Sequence, residues 1–166
     1  QNISSSPSKF DLDQLLFWQK RTVESLTVQE SDVWLSEYLT NLPADIDIED
    51  FIKLIKENIN FTLEAKEYMD NLFFTNLKDS ETVKGILTSA GKEFFESAHK
   101  VVSKGIDDWG YTVKSIGEES GKKGKELFMP LRAAITGQTT GPELDKVVSL
   151  VGLERVLVRL TEASKL

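Results

Sequence analysis

Few side chains in this sequence could perform acid–base or nucleophilic chemistry. His99 is the one histidine among 166 residues, and the chain contains no cysteine. His99 stands between Ala98 and Lys100, and no carboxylate or serine lies at a spacing that indicates a catalytic pair. Without cysteine there can be no disulfide, thiolate metal ligand or cysteine nucleophile. The sequence therefore predicts no catalytic residue and no metal ligand set.

Two charged segments have the composition of ligand-binding loops but not their spacing. The run Gly121-Lys-Lys-Gly-Lys125 lacks the glycine spacing and the following Ser/Thr of a phosphate-binding loop, so a basic surface loop is favoured. The run Asp45-Ile-Asp-Ile-Glu-Asp50 lacks the central glycine and distal glutamate of a calcium loop. It fits an acidic helix N-terminus better. We expect no cofactor bound by this chain.

Charge is distributed unevenly along the sequence. The formal net charge is −7, which by itself argues against a nucleic-acid partner. Residues 119–166 carry eight Lys/Arg against six Asp/Glu, whereas residues 1–118 carry twelve against twenty-one. Any RNA contact should therefore concentrate near the C-terminal end. Chance variation between short segments explains the same difference equally well.

The elements that must position any site are helices. Apolar residues recur at helical spacing from Phe10 through Phe17, and no segment alternates long enough to indicate a strand. The sequence predicts an all-α fold, a helical array of short helices of 8–16 residues in two packed helical subdomains. No apolar run is long enough to cross a membrane. The lack of a secretory signal pattern and of cysteine predicts a cytoplasmic protein.

Capping residues and glycines place the predicted helices. Thr27 and Glu30 form a capping box for a helix ending near Leu39. Asp47 and Thr62 are predicted N-caps, and a further helix starts at Asp79 and Ser80. Helices are also predicted over 89–104 and 111–120, and over 127–136 with Pro130 in or near the first turn. The last two predicted helices run from Pro142 to Val151 and over 153–163.

Several blocks resemble bacterial-type glutamyl-tRNA synthetases, which are class I enzymes. The run Phe128-Met-Pro-Leu-Arg-Ala-Ala-Ile-Thr-Gly137 is close to the family's C-terminal signature, and Gly141-Pro-Glu-Leu144 and Leu150-Val-Gly-x-Glu-Arg155 continue it. Two less specific blocks, Ser6-Pro-Ser-Lys-Phe-Asp11 and Phe61-Thr-Leu-Glu64, resemble earlier family segments in the expected order. Together these blocks span nearly the whole sequence.

The resemblance implies a helical anticodon-binding region that is not catalytic alone. It implies ATP and Mg as cofactors of the full-length parent, a glutamate–tRNA ligase, and none in this fragment. The implied partners are glutamate tRNA and the enzyme's own catalytic half. The resemblance also implies that the protein is a monomer and binds no membrane. The implied division is a segment 1–26 after the catalytic and stem-contacting part, a first anticodon-binding subdomain 27–78, and a C-terminal subdomain 79–166.

The resemblance also implies contact residues. The family loop near the anticodon falls on Thr140, Gly141, Pro142 and Leu144, which could equally form a plain helix–loop–helix connection. Glycine allows close backbone approach to a nucleotide, and a helix N-terminus offers free N–H groups. Arg132 could meet phosphate or a base edge, or pair with a glutamate inside the array.

One position departs from the family pattern. Members that accept only glutamate tRNA often carry arginine at the place that aligns with Ile59. An aliphatic side chain cannot provide the bidentate hydrogen bonds that arginine makes to a base. Either Asn58 or Asn60 substitutes for it, or the enzyme also accepts glutamine tRNA.

Two further expectations concern partners and aromatic rings. An all-α protein-interaction module that docks a partner protein through its acidic N-terminal two-thirds is the alternative function. RNA binding should weaken steeply with salt. Among the aromatic residues, Trp109 is the best candidate for an exposed ring, whereas Phe73, Phe74, Phe94 and Phe95 fit apolar helix faces.

Overall fold

Residues 11–166, which the computed structural model describes, form nine α-helices, two short 3-10 turns and no strand. The all-α prediction is confirmed. Phe10 and residues 6–10 of the first family-like block lie outside the described residues. The helices are α1 Leu12–Ser25, α2 Val28–Leu39, α3 Ile48–Ile55, α4 Thr62–Phe73, α5 Glu81–Ala90, α6 Lys92–Val102, α7 Trp109–Ser120, α8 Lys125–Thr136 and α9 Leu144–Ala163, with 3-10 turns at Lys56–Asn58 and Leu77–Asp79.

The first three helices begin where short polar side chains accept hydrogen bonds from free N–H groups. Thr27 and Glu30 form the predicted capping box, and Asp47 accepts a hydrogen bond from the N–H of Asp50. The prediction that Thr62 caps α4 is wrong. Phe61 holds the N-cap position, and the Glu64 carboxylate accepts its N–H at 2.9 Å, so the acidic side chain replaces the hydroxyl cap.

Glycine separates two helices where the sequence predicted one. Residues 89–104 were expected to form a single amphipathic helix, but α5 ends at Ala90 and α6 begins at Lys92. Gly91 lies between them with φ 83°, a conformation that L side chains rarely adopt and that interrupts the helix. Ser80 caps α5 as predicted, through the N–H of Val83.

Several predicted boundaries in the last three helices differ from those of the structure. Asp108 caps α7, which begins at Trp109, two residues before the predicted start. Pro130 lies inside α8 rather than in its first turn. Pro142 precedes the N-cap Glu143 of α9 and is not the first helical residue. Helix α9 is 20 residues long, beyond the predicted range, but Gly152 breaks it at φ 80° where the sequence predicted an end.

The helices pack around one apolar cluster that runs from Val23 to Ala163. Helix α2 packs on α3 and α4, α6 on α7 and α9, and α8 on α5 and α9. Helices α3 and α9, and α4 and α8, connect the two halves. The division at residues 26 and 78 stays a prediction. Among the described residues, no helix combines the length and apolarity needed to cross a membrane.

A buried arginine fastens α9 to the end of α4. Arg159 is 8% exposed and donates to the carbonyl oxygen of Thr75 at 2.8 Å and to that of Asn71. Glu162 lies 3.5 Å from the same guanidinium. Burial lowers the pKa of Arg159, and the charge of Glu162 opposes that effect. These bonds fix the C-terminal helix against the first half of the chain.

Candidate nucleic-acid interface

The 137–143 loop joins α8 to α9 and passes close to α4. Gly137 ends α8 at φ 66°, and a Cβ atom there would lie 3.4 Å from the carbonyl oxygen of Asn71. The N–H of Gln138 donates to Thr136 Oγ1 at 3.1 Å. The loop therefore begins in a defined conformation against the neighbouring helix.

Arg132 holds the far end of this loop. Its Nη1 donates to the carbonyl oxygen of Pro142 at 2.9 Å. Neither role predicted from the sequence, contact with RNA or pairing with a glutamate, describes this bond. A guanidinium has five N–H donors, so one bond to the loop leaves donors for a second partner.

Tyr68 of α4 lies against the loop at Gly141. A Cβ atom at Gly141 would lie 3.2 Å from both Cε1 and Oη of Tyr68, closer than side chains normally approach. Gly141 has φ 129°, a conformation that favours glycine. The close approach of ring and backbone explains why glycine occupies this position.

Tyr68 is half-buried between opposite charges. Burial raises the pKa of its hydroxyl, the charge of Glu64 raises that pKa further, and the charge of Arg132 lowers it. The hydroxyl therefore stays protonated at neutral pH, as a donor and acceptor between a carboxylate and a guanidinium. None of the described residues, Glu64 and Arg132 included, hydrogen-bonds to this hydroxyl.

The 58–60 segment joins this surface through Glu64. The Glu64 carboxylate accepts the N–H groups of Asn60 and Phe61 and faces Tyr68 one helical turn later. Asn58 is exposed, Asn60 is half-buried, and Ile59 is a core residue that is 1% exposed. The Ile59 side chain is thus unavailable to RNA, whereas the amide of Asn58 is open.

The start of α9 carries negative charge. No side chain caps its first N–H groups, but Glu143 and Asp145 flank them, and Lys146 pairs with Glu143 at 2.7 Å. Carboxylates at this position repel the negative charge of a phosphate. A base or ribose is therefore the better ligand here.

Burial divides the eight predicted contact residues into three groups. Pro142, Leu144 and Ile59 are buried and build the surface from inside, while Gly141, Arg132 and Asn60 are half-buried. Thr140 and Asn58 are exposed. The structure brings the 137–143 loop, Arg132 and the 58–60 segment to one side of the molecule through Tyr68 and Glu64, neither of which we identified from the sequence. Tyr68 follows Glu64 by one helical turn, but its spacing to Met69 and Leu72 equally fits an apolar stripe.

The aromatic predictions need two corrections. Trp109 is half-buried and packs against the apolar cluster, and it is the first residue of α7, which Asp108 caps. Phe74, expected in the core, is 58% exposed since α4 ends one residue before it. The other exposed rings include Trp18, Phe61, Tyr111 and Phe128.

Comparison with known proteins identifies the family. The family model described as anticodon binding domain matches residues 28–164. The chain is 37% identical over 164 residues to glutamate–tRNA ligase 1 of Halorhodospira halophila. This match covers 99% of this chain and 34% of that protein. It is 34% identical to glutamate–tRNA ligase 2 of Coxiella burnetii strain RSA 331, with 98% of this chain and 35% of that protein covered.

Solved structures agree on the fold. The glutamate–tRNA synthetase of Elizabethkingia anophelis superposes with a TM-score of 0.73 at 15% identity, over 95% of this chain and 32% of that one. A glutamate–tRNA ligase of Elizabethkingia meningosepticum superposes with a TM-score of 0.63 at 14% identity, over 94% of this chain and 32% of that one. The chain spans about a third of the length of these relatives, and it belongs to the anticodon binding domain family that occurs in glutamate–tRNA ligases.

Proposed function

We propose that this chain binds the anticodon arm of glutamate tRNA through the 137–143 loop, Tyr68, Arg132 and Asn58. The observation that carries the proposal is that the family match over residues 28–164 contains this whole surface. The surface combines a half-buried ring, an open amide and a close backbone approach at Gly141. These are the features that single-stranded RNA loops use for stacking and base-edge hydrogen bonds.

In the parent protein the chemistry would lie elsewhere. A ligase of this family would join glutamate to tRNA with ATP and Mg in the two-thirds of the relatives' length that this chain does not match. This chain would contribute binding and orientation of the tRNA, as a cytoplasmic monomer. It would contribute no group to the chemical step.

Each residue of this surface has a distinct role in the proposal. Tyr68 offers a ring face and a protonated hydroxyl beside Gly141. Thr140 presents a hydroxyl from the loop, and Asn58 presents an amide from the other side of Glu64. Arg132 shapes the loop through the carbonyl of Pro142 and keeps further donors for a base or phosphate.

A titration with a labelled anticodon stem-loop of glutamate tRNA tests the proposal. We expect Tyr68→Ala to weaken binding about tenfold, since a base stacked on an aromatic ring contributes ~1–3 kcal/mol. Tyr68→Phe should keep most of the affinity if stacking dominates. Tyr111→Ala, which removes a 71% exposed ring on α7, is the matched control and should change nothing.

Equal affinities for the wild type, Tyr68→Ala and Tyr111→Ala would contradict the proposal. Affinity that is independent of salt would contradict RNA as the partner, because phosphate contacts release counterions.

The choice of tRNA is a separate part of the proposal. Since Ile59 is buried and cannot read a base, we propose that glutamate and glutamine stem-loops bind with similar affinity, with Asn58 contacting the third anticodon base. Parallel titrations of the two stem-loops measure this. A strong preference of the wild-type chain for either stem-loop would overturn it, and Asn58→Ala and Asn60→Ala show which of the two amides contributes to binding.

A further inference from the structure

A basic loop lies at the start of α8, at the opposite end of that helix from the 137–143 loop. Residues 121–132 carry four Lys/Arg against one carboxylate, in a chain whose net charge is −7. Three of these cations belong to the loop: Lys122 is half-buried, and Lys123 and Lys125 are exposed. We call Lys122, Lys123 and Lys125 the lysine loop. A local excess of positive charge on an acidic protein indicates a surface for a polyanion.

Neighbouring side chains do not neutralise the lysine loop. Among residues 11–166, none of its three ammonium groups forms an ion pair. By contrast, Lys100 and Lys114 on the preceding helices pair with Glu119 at 2.6 Å and with Glu118 at 4.0 Å. Because no internal ion pair has to break first, the lysine loop can bind an external anion with its full charge.

Packing holds the loop in place against α7. Leu127, at the start of α8, is 5% exposed and lies beside Gly117, where a Cβ atom would come within 3.1 Å of Leu127 Cδ2. The same Cβ would lie 3.1 Å from the carbonyl oxygen of Lys122. The N–H of Lys122 donates to Ser120 Oγ at 3.4 Å. The backbone that carries the lysines therefore has a defined position on the surface.

One side of α8 leads from the lysine loop to the proposed RNA-binding surface. Lys125, Phe128 and Arg132 follow one another at spacings of three and four residues, which places them on the same side of the helix. The Phe128 ring is 53% exposed. Arg132, about 10 Å from Lys125 along the helix axis, reaches the 137–143 loop through the carbonyl oxygen of Pro142. The strip is thus continuous with that surface.

We propose that the lysine loop and Phe128 bind the sugar–phosphate backbone of the RNA strand that leaves the anticodon loop and enters its stem. This inference rests on the proposed function, because the strand begins at the nucleotides that contact the 137–143 loop. The ammonium groups bind phosphates of the strand, and the Phe128 ring packs against a ribose between them and Arg132. Phosphate contacts fix the position of an RNA without reading its sequence. The lysine loop therefore contributes affinity and register, and it does not select the tRNA.

Two features favour a nucleic-acid strand over an acidic protein segment as the ligand. The strip continues the proposed RNA-binding surface, so a single stem-loop can cover both. An exposed ring beside cations also matches the way proteins hold nucleic-acid strands, in which cations bind the backbone and rings pack against its other parts.

Titrations at several salt concentrations test the lysine loop. The two probes are a labelled anticodon stem-loop of glutamate tRNA and a labelled single strand of the loop nucleotides without the stem. We expect K123Q/K125Q to weaken stem-loop binding about tenfold at low salt and to reduce the slope of log affinity against log salt by about 1.4–1.8, since each lost phosphate contact removes about 0.7–0.9. Binding of the loop strand should stay within about twofold of the wild type, because that probe lacks the stem phosphates.

The double variant K104Q/K114Q is the matched control, since it removes the same charge from two exposed lysines. Lys104 shares a groove with Glu118 and Glu119, and Lys114 pairs with Glu118, so carboxylates in this region repel RNA. The control should leave the slope unchanged. An equal reduction of the slope in both double variants would show an effect of net charge alone and would overturn the assignment.

Phe128 has its own readout. Phe128→Ala should weaken stem-loop binding severalfold without changing the salt slope, and Phe128→Tyr should keep the affinity. The unfolding temperature should not change in Phe128→Ala or K123Q/K125Q, because all three positions are exposed.

The two probes and a competitor identify the ligand of the lysine loop. If K123Q/K125Q weakens binding of both probes equally, the lysines contact the loop nucleotides, and the assignment to the stem strand is wrong. If polyglutamate displaces the labelled stem-loop from the wild type as well as unlabelled stem-loop does, an acidic protein segment is the better ligand, and RNA is overturned.

Tyr68→Ala separates this inference from the proposed function. Stem-loop binding that falls in Tyr68→Ala but not in K123Q/K125Q would remove the role of the lysine loop and keep the proposed function. Binding that falls in K123Q/K125Q but not in Tyr68→Ala would do the reverse.

Discussion

The guanidinium of Arg132 donates a 2.9 Å hydrogen bond to the carbonyl oxygen of Pro142, ten residues later in the chain. This bond closes the 137–143 loop across its base, while Gly137 and Gly141 supply the backbone conformations between its ends. The family-like signature that contains Arg132 and the block that contains Pro142 are thus one structural unit. Arg132 acts on the proposed RNA-binding surface first by shaping it.

The salt dependence of binding tells whether Arg132 also contacts phosphate. We expect Arg132→Ala to weaken stem-loop binding but to leave the slope of log affinity against log salt unchanged, since its main role is to hold the loop. A phosphate contact would instead reduce that slope by about 0.7 for single-stranded RNA. Arg132→Lys keeps the charge and one donor, so partial recovery of affinity is expected from it. Titrations at four salt concentrations provide the slopes.

Two glycine substitutions should change stability in opposite directions. At Gly141, φ is 129° and a new Cβ would lie 3.2 Å from the Tyr68 ring, so Gly141→Ala should lower the free energy of unfolding by about 1–3 kcal/mol. Gly85 lies inside α5, where a new Cβ meets nothing within 4 Å. Gly85→Ala should raise the free energy of unfolding by about 0.5–1 kcal/mol. Urea unfolding measures both, and destabilisation by both would contradict the assigned role of Gly141.

The bidentate pair of Arg155 and Asp45 predicts a dependence of stability on pH. Both guanidinium–carboxylate distances are 2.8 Å, and the hydrogen bond from Arg155 lowers the pKa of Asp45. A lowered carboxyl pKa adds stability that is present above the unfolded-state pKa, about 3.9, and is lost as pH falls through the folded-state pKa. The difference in unfolding free energy between wild type and Asp45→Asn should therefore shrink as pH falls below about 4.

Urea unfolding at neutral and acidic pH gives that difference. Asp32→Asn removes an exposed carboxyl on α2 that forms no ion pair among the described residues and serves as control. A difference between wild type and Asp45→Asn that is constant with pH would show that the pair contributes no linked stability.

Removal of Arg159 should be the most damaging of these substitutions. Arg159→Leu leaves the carbonyl oxygens of Thr75 and Asn71 without a donor in a buried environment, at a cost of about 1–3 kcal/mol for each unsatisfied group. Arg159→Lys can restore one bond and should cost less. Thermal unfolding of the two variants measures this order, and equal stability of both with the wild type would refute it.

Local chemistry explains which helices could be predicted. Thr27, Asp47 and Ser80 cap helices in the structure as they do in the sequence pattern, because an N-cap depends on neighbours within three residues. The boundaries at Thr62 and Pro142 could not be predicted in this way. At the first, Glu64 competes for the same N–H groups, and at the second the bond from Arg132 sets the course of the chain.

The sequence by itself determined the all-α class and, through the blocks from Phe128 to Arg155, the family, because helical periodicity and signature residues are properties of neighbouring positions. Only the tertiary structure decided which predicted contact residues are open. Ile59 and Leu144 enter the core, while Tyr68 and Glu64 join the 58–60 segment to the 137–143 loop. Burial depends on which helices pack together, and residues far apart in the chain set that packing.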